Sequence, residues 1–137
     1  MSKPKLDHIG IAVADIDKAI EIYQKLGFKT EAVEDVPGFG VKVAFLPMES
    51  ANVELVQPVK NDSAMAKYLE KKGEGIHHLC FEVQDIRAEL KRLEAAGVQL
   101  VDKVPRQGAH GTLVAFLHPK STGGVLIELA EKQDLSD

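Results

Sequence analysis

Ile76-His77-His78-Leu79-Cys80-Phe81-Glu82-Val83 is the stretch on which the reading of the fold turns. Its residues read as a β-strand that carries His78 and Cys80 on its inner face, with His77 directed to the opposite one. The chain has already written a similar strand near its start, Leu6-Asp7-His8-Ile9-Gly10-Ile11-Ala12-Val13. Each is followed by Asp-Ile (Asp15-Ile16 and Asp85-Ile86) at one and the same distance from its histidine. In the first strand Ile9, Ile11 and Val13 share one face, and His8, Gly10 and Ala12 share the other. The small residues beside His8 leave room above the sheet. Two histidine-bearing strands in one small chain predict a site built on internal symmetry.

Working outward, each strand leads into a helix. Asp15 is an N-cap, Ile16, Ala19, Ile20 and Tyr23 recur at helical spacing, and Gly27 stands where a helix ends. Strands are predicted at 28–33, 41–46 and 52–56, with a turn at 36–40 where Pro37, Gly38 and Gly40 punctuate the chain. A linker helix follows, capped by Asp62 or Ser63, with Ala64, Met65, Tyr68 and Leu69 on its apolar side. The second half repeats the plan. Ile86, Leu90 and Leu93 mark a helix ending near Gly97, strands are predicted at 98–101, 112–117 and 125–129, and 105–111 and 119–124 are loops. The polar tail, 131–137, is expected to fray. The tetrapeptide Val43-Ala44-Phe45-Leu46 returns unchanged as Val114-Ala115-Phe116-Leu117, and His8 to His78 and Gly27 to Gly97 share one offset of 70. The predicted class is therefore α+β: two tandem βαβββ modules, 6–58 and 76–130, joined by a helical linker, 59–75, in a single domain, 1–137. A helix covers one face of each sheet, and the two modules side by side make a curved mixed sheet around a metal-binding cup.

The strand period also places the charged residues. Glu54 stands between Val53 and Leu55, and Glu128 between Ile127 and Leu129. If the aliphatic neighbours face the helices, both carboxylates face the cup with the two histidines. A lone strand histidine is more often structural than a ligand, and a lone strand glutamate is usually solvated. Repetition at matched places shifts that balance, because inward carboxylates beside histidines ask for a cation. His8, Glu54, His78 and Glu128 form a ligand set suited to cobalt, manganese, nickel, iron(II) or zinc. His77 is expected to pack or to support a ligand. His110 and His118 belong to loops, and Cys80 corresponds to Gly10 as a small inward residue.

Composition narrows the function classes. With 137 residues, 45% hydrophobic and 28% charged, the chain suits one compact domain or two small fused modules. A net charge of -4 argues against nucleic acid and against an anionic membrane as the main partner, and leaves room for an anionic ligand bound locally. The one cysteine, Cys80, excludes an intrachain disulfide and fits a reducing compartment. No apolar run approaches the ~20 residues of a membrane helix, and Met1-Ser2-Lys3-Pro4-Lys5 has no secretion-type apolar run, so a cytoplasmic location is expected.

The paired modules resemble the vicinal-oxygen-chelate superfamily, which includes glyoxalase I, and within it the methylmalonyl-CoA epimerase family. The resemblance runs from Leu6 to Leu129. Its informative segments are 6–12, 62–69, Gly75-Ile76-His77-His78-Leu79, and His118-Pro119-Lys120 through Gly124-Val125-Leu126-Ile127-Glu128-Leu129. It implies interconversion of (2R)- and (2S)-methylmalonyl-CoA by α-proton abstraction through a metal-stabilised enolate. It also implies a divalent metal, typically cobalt in vitro, on His8, His78 and Glu128, with Glu54 at a fourth position that is Gln in some members. Glu128 is the implied acid/base on one face, an acyl-CoA the implied substrate and a homodimer the implied assembly. One departure stands out. Some bacterial relatives carry a second carboxylate, proposed as the opposite base, at the position of Val43, which cannot transfer a proton. Glu54 is the symmetry-based candidate for that role, and a metal-bound water is another. The competing expectations are a glyoxalase I-like lactoylglutathione lyase, an iron-dependent extradiol dioxygenase, and a non-enzymatic small-molecule-binding protein of the same fold.

Overall fold

The computed structural model describes residues 3–133, which form eight strands and three α-helices. Packing divides the chain into two compact units: His8–His77, and the chain from His78 onward together with the residues up to Asp7. The predicted fraying of the tail concerns, beyond Gln133, residues outside the described ones.

The first unit is built from β1 (Lys5–Ala12) from His8 onward, α1 (Ile16–Lys25), β2 (Ala32–Val36), β3 (Val41–Leu46), β4 (Asn52–Pro58) and α2 (Ala64–Lys72). Its strand order is β2-β3-β4-β1, with β1 parallel to β4 and the other pairs antiparallel. Asp15 caps α1 as expected, its carboxylate accepting from the backbone N–H groups of Asp17 and Lys18. Ser63, the second of the two candidates, caps α2 through the N–H of Ala66. The apolar face of α1 meets the sheet in a core of Val13, Ile16, Ala19, Ala44, Leu46 and Leu55, with Ile11 and Val53 packed against it. Each fully buried aliphatic side chain here contributes about 1.5–3 kcal/mol through burial.

The second unit repeats the plan with β5 (Gly75–Glu82), α3 (Ile86–Ala95), β6 (Arg106–Gln107), β7 (Leu113–Leu117) and β8 (Ile127–Glu131), in the order β5-β8-β7-β6. Asp85 caps α3, and Ile86, Leu90, Ala115, Leu117 and Leu129 form the core beneath it.

Three expected strands are displaced. The strand predicted at 28–33 begins only at Ala32, because Phe28 is used to close α1. Its N–H donates to the Tyr23 carbonyl at 3.0 Å and its ring stacks on Tyr23. The strand predicted at 98–101 is reduced to one bridge, Leu100 to Leu117. There Asp102 Oδ2 takes the Phe116 N–H at 2.9 Å, while the Phe116 carbonyl accepts from both Val101 and Asp102, so the ladder cannot propagate. The short β6 lies instead within the segment expected to be a loop. The last strand starts at Ile127, two residues late, since Gly123 and Gly124 continue the turn at φ 70° and 95°.

The starts of α1 and α3 are also clamped to a strand. The Ile16 N–H donates to the Gln57 side chain on β4 at 2.8 Å, and the Ile86 N–H donates to the Glu131 carboxylate on β8 at 2.9 Å. Glu131→Ala is expected to cost about 1–2 kcal/mol, since it orphans a partly buried helix N-terminal donor. The check is a lower urea midpoint at unchanged slope.

Candidate functional site

The register builds one half of the site inside the first unit. Parallel pairing sets His8 opposite Asn52 and Gly10 opposite Glu54, so His8 and Glu54 rise from the same face of adjacent strands. The other face belongs to the α1 core, which holds Ile11, Val53 and Leu55. His8 Nδ1 lies 3.1 Å from Glu54 Oε2, and the two side chains are only 7% and 12% exposed. Gly10 has no side chain to fill the space beside Glu54, and Phe45 stands opposite Glu54 on β3.

The second unit builds the matching half. Cys80 pairs with Glu128 in the parallel register of β5 and β8, and Phe116 lies opposite Glu128 on β7. His78 Nε2 is 3.1 Å from Glu128 Oε1, with side chains 7% and 9% exposed. The Phe116 ring meets the His78 ring edge-on at 5.5 Å, which fixes the imidazole plane. The twin Val-Ala-Phe-Leu tetrapeptides now have a reason. In both, Ala and Leu enter the helix-covered core, while Phe flanks the glutamate on the opposite face.

All four predicted ligands thus occur as two buried imidazole–carboxylate pairs, one in each unit. His8, His78 and Glu128 are buried side chains of metal-ligating type, and Glu54 is nearly so. A carboxylate held this far from water needs a compensating charge. A protonated imidazole supplies it in an isolated pair, and a divalent cation supplies it for nitrogen and oxygen donors together. The donor set therefore fits a metal.

The remaining histidines occupy other places. His77 is half-buried with its ring against Tyr68, 4.5 Å between centroids, in the packing role expected of it. His118 Nδ1 accepts the Lys120 N–H at 3.1 Å and caps a short turn. His110 is exposed and takes a left-handed backbone at φ 55°. Cys80 is fully buried. Val43 is buried and stands opposite Val56, on the face that carries Glu54.

Sequence reasoning missed Gln57 and Glu131, which anchor helix starts to the strands bearing Glu54 and Glu128. Their signal was available: each follows its glutamate by three positions. It also missed Lys132, which lies 3.4 Å from Asp7 and 3.3 Å from Glu82. Burial lowers the Lys132 ammonium, but Glu82 and Asp7 outweigh it and hold its pKa above the usual lysine value.

Tandem βαβββ modules, each with a His–Glu pair on its open face, define the class: the chain belongs to the Glyoxalase/Bleomycin resistance protein/Dioxygenase superfamily, whose family model matches residues 7–116. Within that class it is 42% identical to the ethylmalonyl-CoA/methylmalonyl-CoA epimerase of Cereibacter sphaeroides, over 93% of this chain and 97% of the relative. The crystal structure of methylmalonyl-CoA epimerase from Mycobacterium tuberculosis matches at 42% identity and a TM-score of 0.89, covering 95% of this chain and 89% of that one. A methylmalonyl-CoA epimerase in complex with methylmalonyl-CoA and an ammonium ion matches at 35% identity and a TM-score of 0.92, covering 99% of each chain.

Proposed function

We propose that this chain is a metal-dependent methylmalonyl-CoA epimerase that interconverts the (2R) and (2S) epimers. The observation that carries the reading is the pair of buried His–Glu couples, His8–Glu54 and His78–Glu128, at matched positions of two modules. It is supported by the similarity to epimerases over more than nine-tenths of the chain. His8, Glu54, His78 and Glu128 would together hold one divalent ion, cobalt being the first to test. Bound there, that ion would supply positive charge against the negative charge that develops on the thioester oxygen. Glu128 takes or returns the α-proton on one face, where a carboxylate with little water around it is a competent acid/base. Glu54 is proposed as a ligand, and its symmetry with Glu128 makes it a candidate for transfer on the other face. The two modules act as a single domain and the protein as a homodimer, without nucleic-acid or membrane partners, in a reducing cytoplasm. No helix among the described residues is long and apolar enough to cross a membrane.

The test is exchange of the substrate α-proton with deuterated solvent, followed by mass spectrometry and by separation of the epimers. The metal-loaded protein is expected to exchange and epimerise. Chelator treatment is expected to reduce both by roughly three orders of magnitude, the effect of several kcal/mol of lost charge stabilisation, and cobalt is expected to restore them. A chelated protein that epimerises at full rate would remove the metal from the proposal. Turnover of the glutathione hemithioacetal, with none of methylmalonyl-CoA, would favour the lyase.

A further inference from the structure

Epimerisation needs two proton-transferring groups, one for each face of the planar carbon, and the position where a second carboxylate was expected holds Val43. The register of the first unit supplies another. On β2 the residue directly opposite Val43 is Glu34, and on β4 the residue opposite Val43 is Val56. Cross-strand partners share a face, so Glu34, Val43, Val56 and Glu54 all belong to the face that carries His8. That face of the four strands is formed by Ala32, Glu34 and Val36 of β2, by Val41, Val43 and Phe45 of β3, by Asn52, Glu54, Val56 and Pro58 of β4, and by His8, Gly10 and Ala12 of β1. It bears two carboxylates, Glu54 and Glu34. Glu34 is half-buried while its neighbours Val33 and Asp35, on the opposite face of the same edge strand, are exposed. Two strand spacings and a two-residue offset separate Glu34 from Glu54, roughly 12 Å between backbone positions. Val43 and Val56 lie between them on that face.

We infer that Glu34 is the second proton-transferring group, taking the place that a carboxylate at position 43 would fill from the adjacent strand. The inference rests on the epimerase reading given above. In one direction the ionised carboxylate of Glu128 takes the α-proton, with Glu34 as the group on the opposite face. The C–H electron pair moves into the enolate, and the other glutamate, protonated, delivers its proton to the opposite face as the pair returns to carbon. The two carboxyl groups exchange protonation states in each turnover, and proton exchange with solvent resets them.

The test is Glu34→Gln, an isosteric change on a half-buried edge strand, assayed as the cobalt-loaded full chain. Epimerisation is expected to fall by about 10²-fold or more, the usual contribution of one positioned acid or base. Solvent deuterium is still expected to enter one epimer at close to the wild-type rate, because the remaining base keeps its own half-reaction. Bound cobalt and the urea midpoint are expected to be unchanged. Epimerisation within twofold of wild type overturns the inference and leaves the epimerase reading intact. Equal loss of exchange from both epimers also overturns it, since that marks general disruption of the site. A wild-type protein inert toward methylmalonyl-CoA would overturn the functional reading, and this inference with it.

Discussion

Replacing His78 by alanine is expected to lower epimerase activity by roughly three orders of magnitude and to lower bound metal to trace levels, the two losses moving together. The imidazole is a nitrogen donor at 3.1 Å from Glu128, and it is held in plane by the edge of Phe116. Its removal leaves Glu128 beside a small cavity in place of its partner. Stability is expected to fall by about 1–3 kcal/mol, the cost of a lost buried contact, which most folded domains survive. The control is the adjacent histidine. His77 packs on Tyr68 on the far side of the strand, so His77→Ala is expected to keep both metal and activity. Metal analysis, the exchange assay and a urea titration on the two variants separate the roles of neighbouring residues. A His78→Ala protein with full activity and no metal would refute the proposal.

The contrast between His77 and His78 shows how much the sequence alone could reveal. Strand period and the repeat together distinguish them, because a period of two assigns faces and an offset of 70 assigns partners. The same logic put Glu54 and Glu128 on the face that carries the histidines, and the His–Glu separation is 3.1 Å in each unit. What was illegible depends on side chains that replace backbone ladders. Residues 98–101 have strand-like aliphatic content, yet Asp102 caps the Phe116 N–H and stops the pairing. Residues 28–31 look extended, but Phe28 is spent on closing α1. Glu34 was invisible for another reason. Its strand was predicted to stop at residue 33, so its face could not be assigned. The true span, Ala32–Val36, and its register against Val43 bring it into view. Secondary structure predicted from periodicity fails where a polar side chain or a helix cap competes for the same backbone groups.

Glu128→Gln separates binding from chemistry at the strongest acid/base candidate. The amide keeps the shape of the side chain and one oxygen donor, so fold and cobalt binding at saturating metal are expected to persist. The group can no longer accept the α-proton, and activity is expected to drop by about 10²- to 10⁴-fold. Glu54→Gln is the necessary comparison, because it makes the same isosteric change at the matched glutamate of the other unit. If Glu54 serves as a ligand only, that variant is expected to lose less than about tenfold, in line with retained coordination by the amide oxygen. The two glutamates occupy matched strands, face matched phenylalanines and contact matched histidines. The strand placement is therefore matched, although His8 meets its glutamate through Nδ1 and His78 through Nε2, and the difference between the variants measures the chemical role assigned to each carboxylate. Equal losses from Glu54→Gln and Glu128→Gln would place both carboxylates in proton transfer and remove the need for Glu34. A large loss confined to Glu128→Gln would leave the opposite face to a group outside the four ligands, the position that Glu34 is proposed to fill.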